Sequence, residues 1–138
     1  MTLVPLDLPG SEDVIAYFGA WPSFHDAEVV SLELNRVGTS ILRVHTFATT
    51  GELNSRGQFI THKHAIVSFS LDEIVTIQLD GFNHQNVIFG LAISNVSEGY
   101  EIVLDPCYGL SGRIVGKQLR VTFEPGIPSG SVYTEALR

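Results

Sequence analysis

His62 and His64 stand two residues apart in a stretch that reads as strand. On an extended chain, residues i and i+2 share a face. The pair therefore has the spacing of two ligands to zinc or iron. A third ligand would have to come from His25, His45, His84 or a carboxylate, and no spacing ties any of these to the pair. The expectation is no bound metal and no cofactor. A metal-dependent enzyme using His62 and His64 stands as the alternative. His25-Asp26 is a second candidate, since an acid that orients an imidazole serves general acid–base chemistry. Neighbours on an extended chain point to opposite faces, so a structural role is expected instead. Asp26 would cap a turn, and His25 would satisfy buried backbone groups beneath Trp21.

Other nucleophiles fare no better. Cys107 lies in Asp105-Pro106-Cys107-Tyr108-Gly109, which places no base beside it, so a small buried apolar role is expected. Gly109-Leu110-Ser111-Gly112 lacks the following Lys-Ser/Thr and the helix of a phosphate cradle, and reads as a tight loop between strands. Ser23 has no Gly-x-Ser-x-Gly context. No catalytic residues are assigned, and the chain reads as a non-enzymatic protein.

The elements that must position these residues begin with a short helix. Ser11 can cap it, Glu12 and Asp13 suit its positive end, and Val14, Ile15 and Phe18 make one apolar face. Gly19 ends it and Pro22 forbids continuation. Trp21, Phe24, His25 and Asp26 follow as a structural motif, with the aromatics expected to staple the helix onto a sheet. From Glu28 the apolar period becomes two. Val30, Leu32 and Leu34 read as the inward face of a first strand. Val37-Gly38-Thr39 turns the chain, so residues 28–48 form a hairpin. Residues 49–61 read as a long polar loop, and such loops are often functional. Strands follow over 64–71 and 74–79, with Asp72-Glu73 as a bulge or corner. Val87–Ile93 reads as a strand buried on both faces. Strands at 100–104 and 119–123 flank a glycine-punctuated loop. The predicted fold is mainly β, an antiparallel sheet of seven or eight strands, either a sandwich or a strongly curved sheet, with one short N-terminal helix. Residues 1–138 make a single domain, with an arm at 1–10 and a tail at 126–138.

Composition sets the remaining bounds. Fifteen acidic and eight basic residues give a net charge of −7. There is no run of Lys or Arg to meet a phosphate backbone, so no nucleic-acid partner is expected. A lone cysteine excludes an internal disulfide. The amino terminus lacks a basic region followed by an apolar run, and no apolar segment approaches the ~20 residues of a membrane helix. A cytoplasmic protein without a membrane partner is expected.

Three stretches carry a resemblance: Trp21-Pro22-Ser23-Phe24-His25-Asp26-Ala27-Glu28-Val29, Gly81-Phe82-Asn83-His84-Gln85-Asn86-Val87-Ile88, and Cys107-Tyr108-Gly109-Leu110-Ser111-Gly112-Arg113-Ile114. In order and spacing they resemble the immunity protein 50 family, small proteins that neutralise the toxin part of bacterial polymorphic toxin systems. The likeness runs from about residue 14 to residue 128. It implies a largely β fold, no catalytic residues, and a toxin domain as a directly bound protein partner. The exposed acids Glu52, Asp72, Glu73, Asp80, Glu98 and Glu101 form the pool expected to meet that partner, with the 49–61 loop as the other contact. A small-ligand module with its pocket between the sheet and the Trp21 segment is a further alternative.

Overall fold

The period-two pattern from Glu28 onward does form strands, and they close into a barrel. The computed structural model describes residues 7–133, so most of the expected arm and the end of the expected tail lie outside the described residues. Helix α1 spans Ser11–Phe18. The strands are β1 Ala27–Glu33, β2 Thr39–Leu53, β3 Phe59–Asp80, β4 Val87–Val96, β5 Gly99–Tyr108 and β6 Ser111–Pro125. Their order around the closed barrel is β1-β2-β3-β6-β5-β4, with β4 returning to β1, and every pairing is antiparallel. The mainly β class is as expected. The count of seven or eight strands, in a sandwich or an open curved sheet, is corrected to six strands in a closed barrel among the described residues.

Physical causes account for the difference. Residues 64–71 and 74–79 are one strand, because Glu73 at φ 54 and a register shift between Ile74 and Thr76 bend β3 without ending it. The glycine-rich loop before the last strand shrinks to a tight turn at Gly109, and β6 already begins at Ser111. The 49–61 loop is also strand over most of its length. β2 runs to Leu53 and β3 starts at Phe59, with Asn54 closing the turn between them. The Asn54 N–H donates to the Gln58 carbonyl at 2.8 Å, and its Oδ1 accepts from the N–H groups of Arg56 and Gln58 at 2.8 and 3.0 Å.

Bulges also decide which side chains face the core. A register shift between Val29 and Ser31 puts Ala27 and Val29 inside and leaves Val30 exposed, while Leu32 packs against the core as expected and Leu34, past the end of β1, is exposed. In β4, shifts near Ile88 keep Ile88, Leu91 and Ile93 buried while Phe89 is 56% exposed, so this strand is buried on one face and not two. The interior is aliphatic around Phe24 and Phe69. Helix α1 lies against β6, with Val14 fully buried. Its N-cap position is held by Gly10 at φ 91, without the Ser11 side-chain cap that was expected. Ser11 is instead the first, buried residue of the helix. A Cβ on Gly10 would fall 1.8 Å from the Val121 carbonyl oxygen, so only glycine permits this approach. Pro9 fixes the contact by accepting from the Val121 N–H at 2.9 Å. No helix among the described residues is long and apolar enough to cross a membrane.

Barrel closure is narrow. β1 and β4 share only two residue pairs, Ala27 with Ile88 and Glu28 with Val87. Backbone bonds extend the seam at each end, from Asp26 N–H to the Ile88 carbonyl at 3.0 Å and from Val29 N–H to the Asn86 carbonyl at 2.8 Å. Asn86 is buried in the left-handed region at φ 47, and its Oδ1 accepts from the N–H groups of Asn83 and Leu110 at 2.9 and 3.2 Å. A side chain at Gly109, φ 99, would meet the Asn83 and Asn86 Oδ1 atoms at 2.7 Å. The three stretches that carry the family resemblance therefore converge on this seam.

The seam generates a graded expectation. Asn86→Gly keeps the backbone conformation but strands two N–H groups, and should cost about 2–3 kcal/mol in urea unfolding. Asn86→Ala should cost roughly 1 kcal/mol more, from the left-handed backbone. Asn86→Asp, which retains the acceptor, should lose least. A glycine variant as stable as the parent would mean the side chain does not hold the seam.

Candidate functional site

A broad concavity lies where the β2–β3 hairpin runs past the barrel. This ribbon forms one wall of a groove of about 1090 Å³, contributing Phe47, Thr49, Phe59 and Thr61, with Asn54, Arg56 and Gln58 at its turn. Phe18 and the segment from Ala20 to Asp26 make the facing wall, and Val132 and Tyr133 also line the groove. Phe59 and Val132, which line it, are 61% and 74% exposed, and Leu53 on the same ribbon is 57% exposed, so the surface here is strongly apolar. Trp21, expected in the core, is half-buried on the groove wall, with its ring 5.7 Å from Phe24 and 6.4 Å from Phe69. Phe24 is buried as expected.

The rest of the aromatic motif differs from expectation. His25 is exposed and not beneath Trp21. Its Nδ1 lies 3.3 Å from the Phe89 carbonyl, and its ring meets Phe89 edge-on at 5.0 Å. Asp26 makes no turn cap among the described residues. The backbone there enters the left-handed region at φ 61, which swings the carboxylate to 3.6 Å from His25 Nε2. Ser23 is the residue that caps this turn, accepting from the His25 N–H at 3.2 Å. Cys107 is exposed rather than buried, and partial desolvation, with Asp26 and Asp105 nearby, raises its thiol pKa.

His62 and His64 do not share a face. Lys63 at φ 53 turns the chain between them, leaving His62 exposed and His64 buried. His64 belongs to a chain of hydrogen bonds that sequence reasoning missed. His45 Nδ1 lies 2.7 Å from Glu28 Oε1, His45 Nε2 lies 2.9 Å from His64 Nδ1, and His64 Nε2 lies 2.9 Å from Thr61 Oγ1. Ser131 Oγ completes the chain by donating to Glu28 Oε1 at 2.5 Å. One proton order satisfies every atom. Ser131 and His45 Nδ1 donate to the carboxylate, His64 Nδ1 donates to His45 Nε2, and the Thr61 hydroxyl donates to His64 Nε2. Both nitrogens of His64 are thereby used. Among the described residues, no group of three or more His, Cys, Asp and Glu has a metal-binding arrangement.

Electrostatics follow from this burial. His45 is fully buried, and His64 is pushed down to about 4 by burial, with His45 and His62 adding to the effect. Burial alone would push the Glu28 carboxyl up, but hydrogen bonds from His45 and Ser131 outweigh it and hold the carboxyl below its usual value. The order hydroxyl–histidine–histidine–carboxylate ends on Thr61 at the groove. Yet a general base acts best with a pKa near the working pH, and His64 is a weak base at neutrality.

The acidic pool is dispersed. Asp72, Glu73 and Glu101 are paired within the chain, with Arg120 at 3.0 Å, Lys117 at 3.1 Å and Arg113 at 2.9 Å. Glu98 accepts from Ser97 at 2.7 Å in the β4–β5 turn, and Asp80 ends β3. Glu52 alone of the six stands on the ribbon. No protein-family model, curated protein or solved structure matches this chain.

The chain sets a direction for pH. Unfolded, His64 takes up its proton near 6.5, whereas folded it does so near 4. The unfolded state therefore binds more protons between these values, and stability falls as pH drops through that window. The loss should be roughly 1–2 kcal/mol once solvent screening is allowed for. Glu28 acts in the same direction at lower pH, since its folded carboxyl ionises more readily than its unfolded one. Urea unfolding from pH 7 to pH 4 should show this decline. His64→Phe should flatten it while lowering stability at pH 7 by about 1–3 kcal/mol, because His45 Nε2 loses its donor.

Proposed function

We propose that the protein is a non-enzymatic binding protein of the immunity type, which neutralises a toxin domain by holding it against the ribbon and groove. One observation carries the binding part: a two-stranded ribbon extends beyond the barrel with Leu53, Phe59 and Ile60 exposed beside a groove walled by Trp21. Exposed apolar side chains grouped on a rigid scaffold mark recognition surfaces, and aromatic anchors there supply most of the binding energy. The toxin part rests on the resemblance in the three seam stretches. Acidity supports it in a secondary way. A net charge of −7 favours encounter with a basic partner, while Asp72, Glu73 and Glu101 already face cations of their own chain. The groove's aromatic lining also favours a small-ligand module as a second reading.

Coexpression with the toxin encoded beside the gene should protect cells, and the two chains should copurify. Phe59→Asp should weaken binding at least about thirtyfold, the effect of a hot-spot residue, while an exposed site should leave stability within about 0.5 kcal/mol. Glu52→Lys should chiefly slow association and change its salt dependence. The reading fails if the chain neither binds nor rescues. Its placement on the ribbon fails if Phe59→Asp binds as the parent does.

A further inference from the structure

The histidine chain lies on the outer side of the barrel wall. Leu42 and Val44 point inward, so alternation turns His45 outward, and Glu28 likewise alternates with inward Ala27 and Val29. An outward histidine that is nonetheless fully buried must be covered. The cover comes from the residues after β6. Gly126 N–H donates to the His64 carbonyl at 2.8 Å, Ser131 donates to Glu28, and the Tyr133 ring packs 5.7 Å from His45 and 5.5 Å from His64. Residues 126–133 of the tail are therefore a docked strap. The same strap gives Val132 and Tyr133 to the groove.

We propose that residues 126–133 form an acid-released strap, latched over Glu28, His45 and His64 at neutral pH and freed when this chain takes up a proton. The neutral chain has each nitrogen either donating or accepting. A proton added at His64 Nε2 turns that acceptor into a donor, reverses the Thr61 bond and places a charge under the strap. Lifting the strap hydrates the charge, whereas keeping it closed leaves the charge buried. Protonation of Glu28 then removes the charge assistance from the Ser131 bond.

The groups facing the chain come from every neighbouring element. Glu28 lies on β1, His45 on β2, and His62 and His64 on β3. Asp26 precedes β1 and, with Glu28, acts on Tyr133, whose phenol burial and these acids push up to about 12. Tyr17 of α1 donates to the His64 carbonyl at 3.3 Å. Tyr133 keeps its proton in acid, so His64 and Glu28 carry the response. Freed, the strap takes Val132 and Tyr133 out of the groove, and an occupant resting on them loses that support. The inference goes beyond the binding reading and is measured without a partner.

Amide exchange of the full chain by NMR, corrected for the intrinsic pH dependence of exchange, tests it. Ser131 and Tyr133 should open roughly tenfold more between pH 7 and pH 4, and at every pH at an opening free energy well below that of Val67 and Ile114 in the barrel, which follow global unfolding. Ser131→Ala should raise strap opening about tenfold at pH 7, the loss of one charge-assisted bond. His64→Phe should abolish most of the pH course. The proposal is overturned if strap and barrel amides exchange with one common opening free energy, if strap opening does not rise down to pH 4, or if Ser131→Ala leaves opening unchanged. A His64→Phe protein with the full pH course would also overturn it.

Discussion

A sheet becomes a barrel only if its first and last strands meet, and here they meet along two residue pairs. Everything that shapes the interior depends on that narrow closure. A single residue, Asn86, extends it: its backbone carbonyl accepts from Val29 of β1, and its side-chain Oδ1 accepts from Leu110 in the turn before β6. Its amide does what several more ladder bonds would do in a wider seam. Left open, the β1 and β4 edges would present unpaired backbone groups to solvent or to other chains. The phrases of sequence that look like signatures are, in this fold, the parts of one fastening. They say how the barrel closes and contain none of the groove's ribbon wall.

The buried histidine chain obeys a different rule. Polar groups are tolerated in the interior only when each has a partner. The run from Ser131 to Thr61 meets this with alternating donors and acceptors, and no buried side-chain polar atom among the described residues is left without a partner. Such a chain is stable in one protonation state. That restriction links a stability property of the wall to the shape of the groove beside it.

Much of the fold was legible. Alternation gave the strand class, and Gly19 and the αα-free remainder of the chain gave a single short helix. The expected hairpin over 28–48 holds both Glu28 and His45, but a turn centred on Gly38 would set residue 28 across from residue 48, and only the observed turn together with the bulge at Val29–Ser31 brings it opposite residue 45. What hid the site was irregularity. Bulges at Val29–Ser31 and at Lys63 move side chains between faces, and period-two reasoning cannot see an inserted residue. Lys63 separated the two histidines that spacing had paired. Thr49, Thr50 and Gly51 looked like loop chemistry, although threonine suits a strand and the ribbon uses it so. The strap's contact with Glu28 spans more than a hundred residues and leaves no local trace.

The strand order also bears on how the chain assembles. β1-β2-β3 and β4-β5-β6 are two meanders of neighbouring strands, each joined by short connections. They are welded along the long β3–β6 ladder, which pairs Ala65 with Pro125 at one end and Asp80 with Ser111 at the other. Local pairing costs less loop entropy than distant pairing. Each meander can thus form before the ladder does, and the β1–β4 seam has nothing to close until the ladder has brought its strands together. The narrowest contact in the barrel then has nothing to form on until the ladder is in place, so substitutions at Asn86 are expected to speed unfolding more than they slow folding.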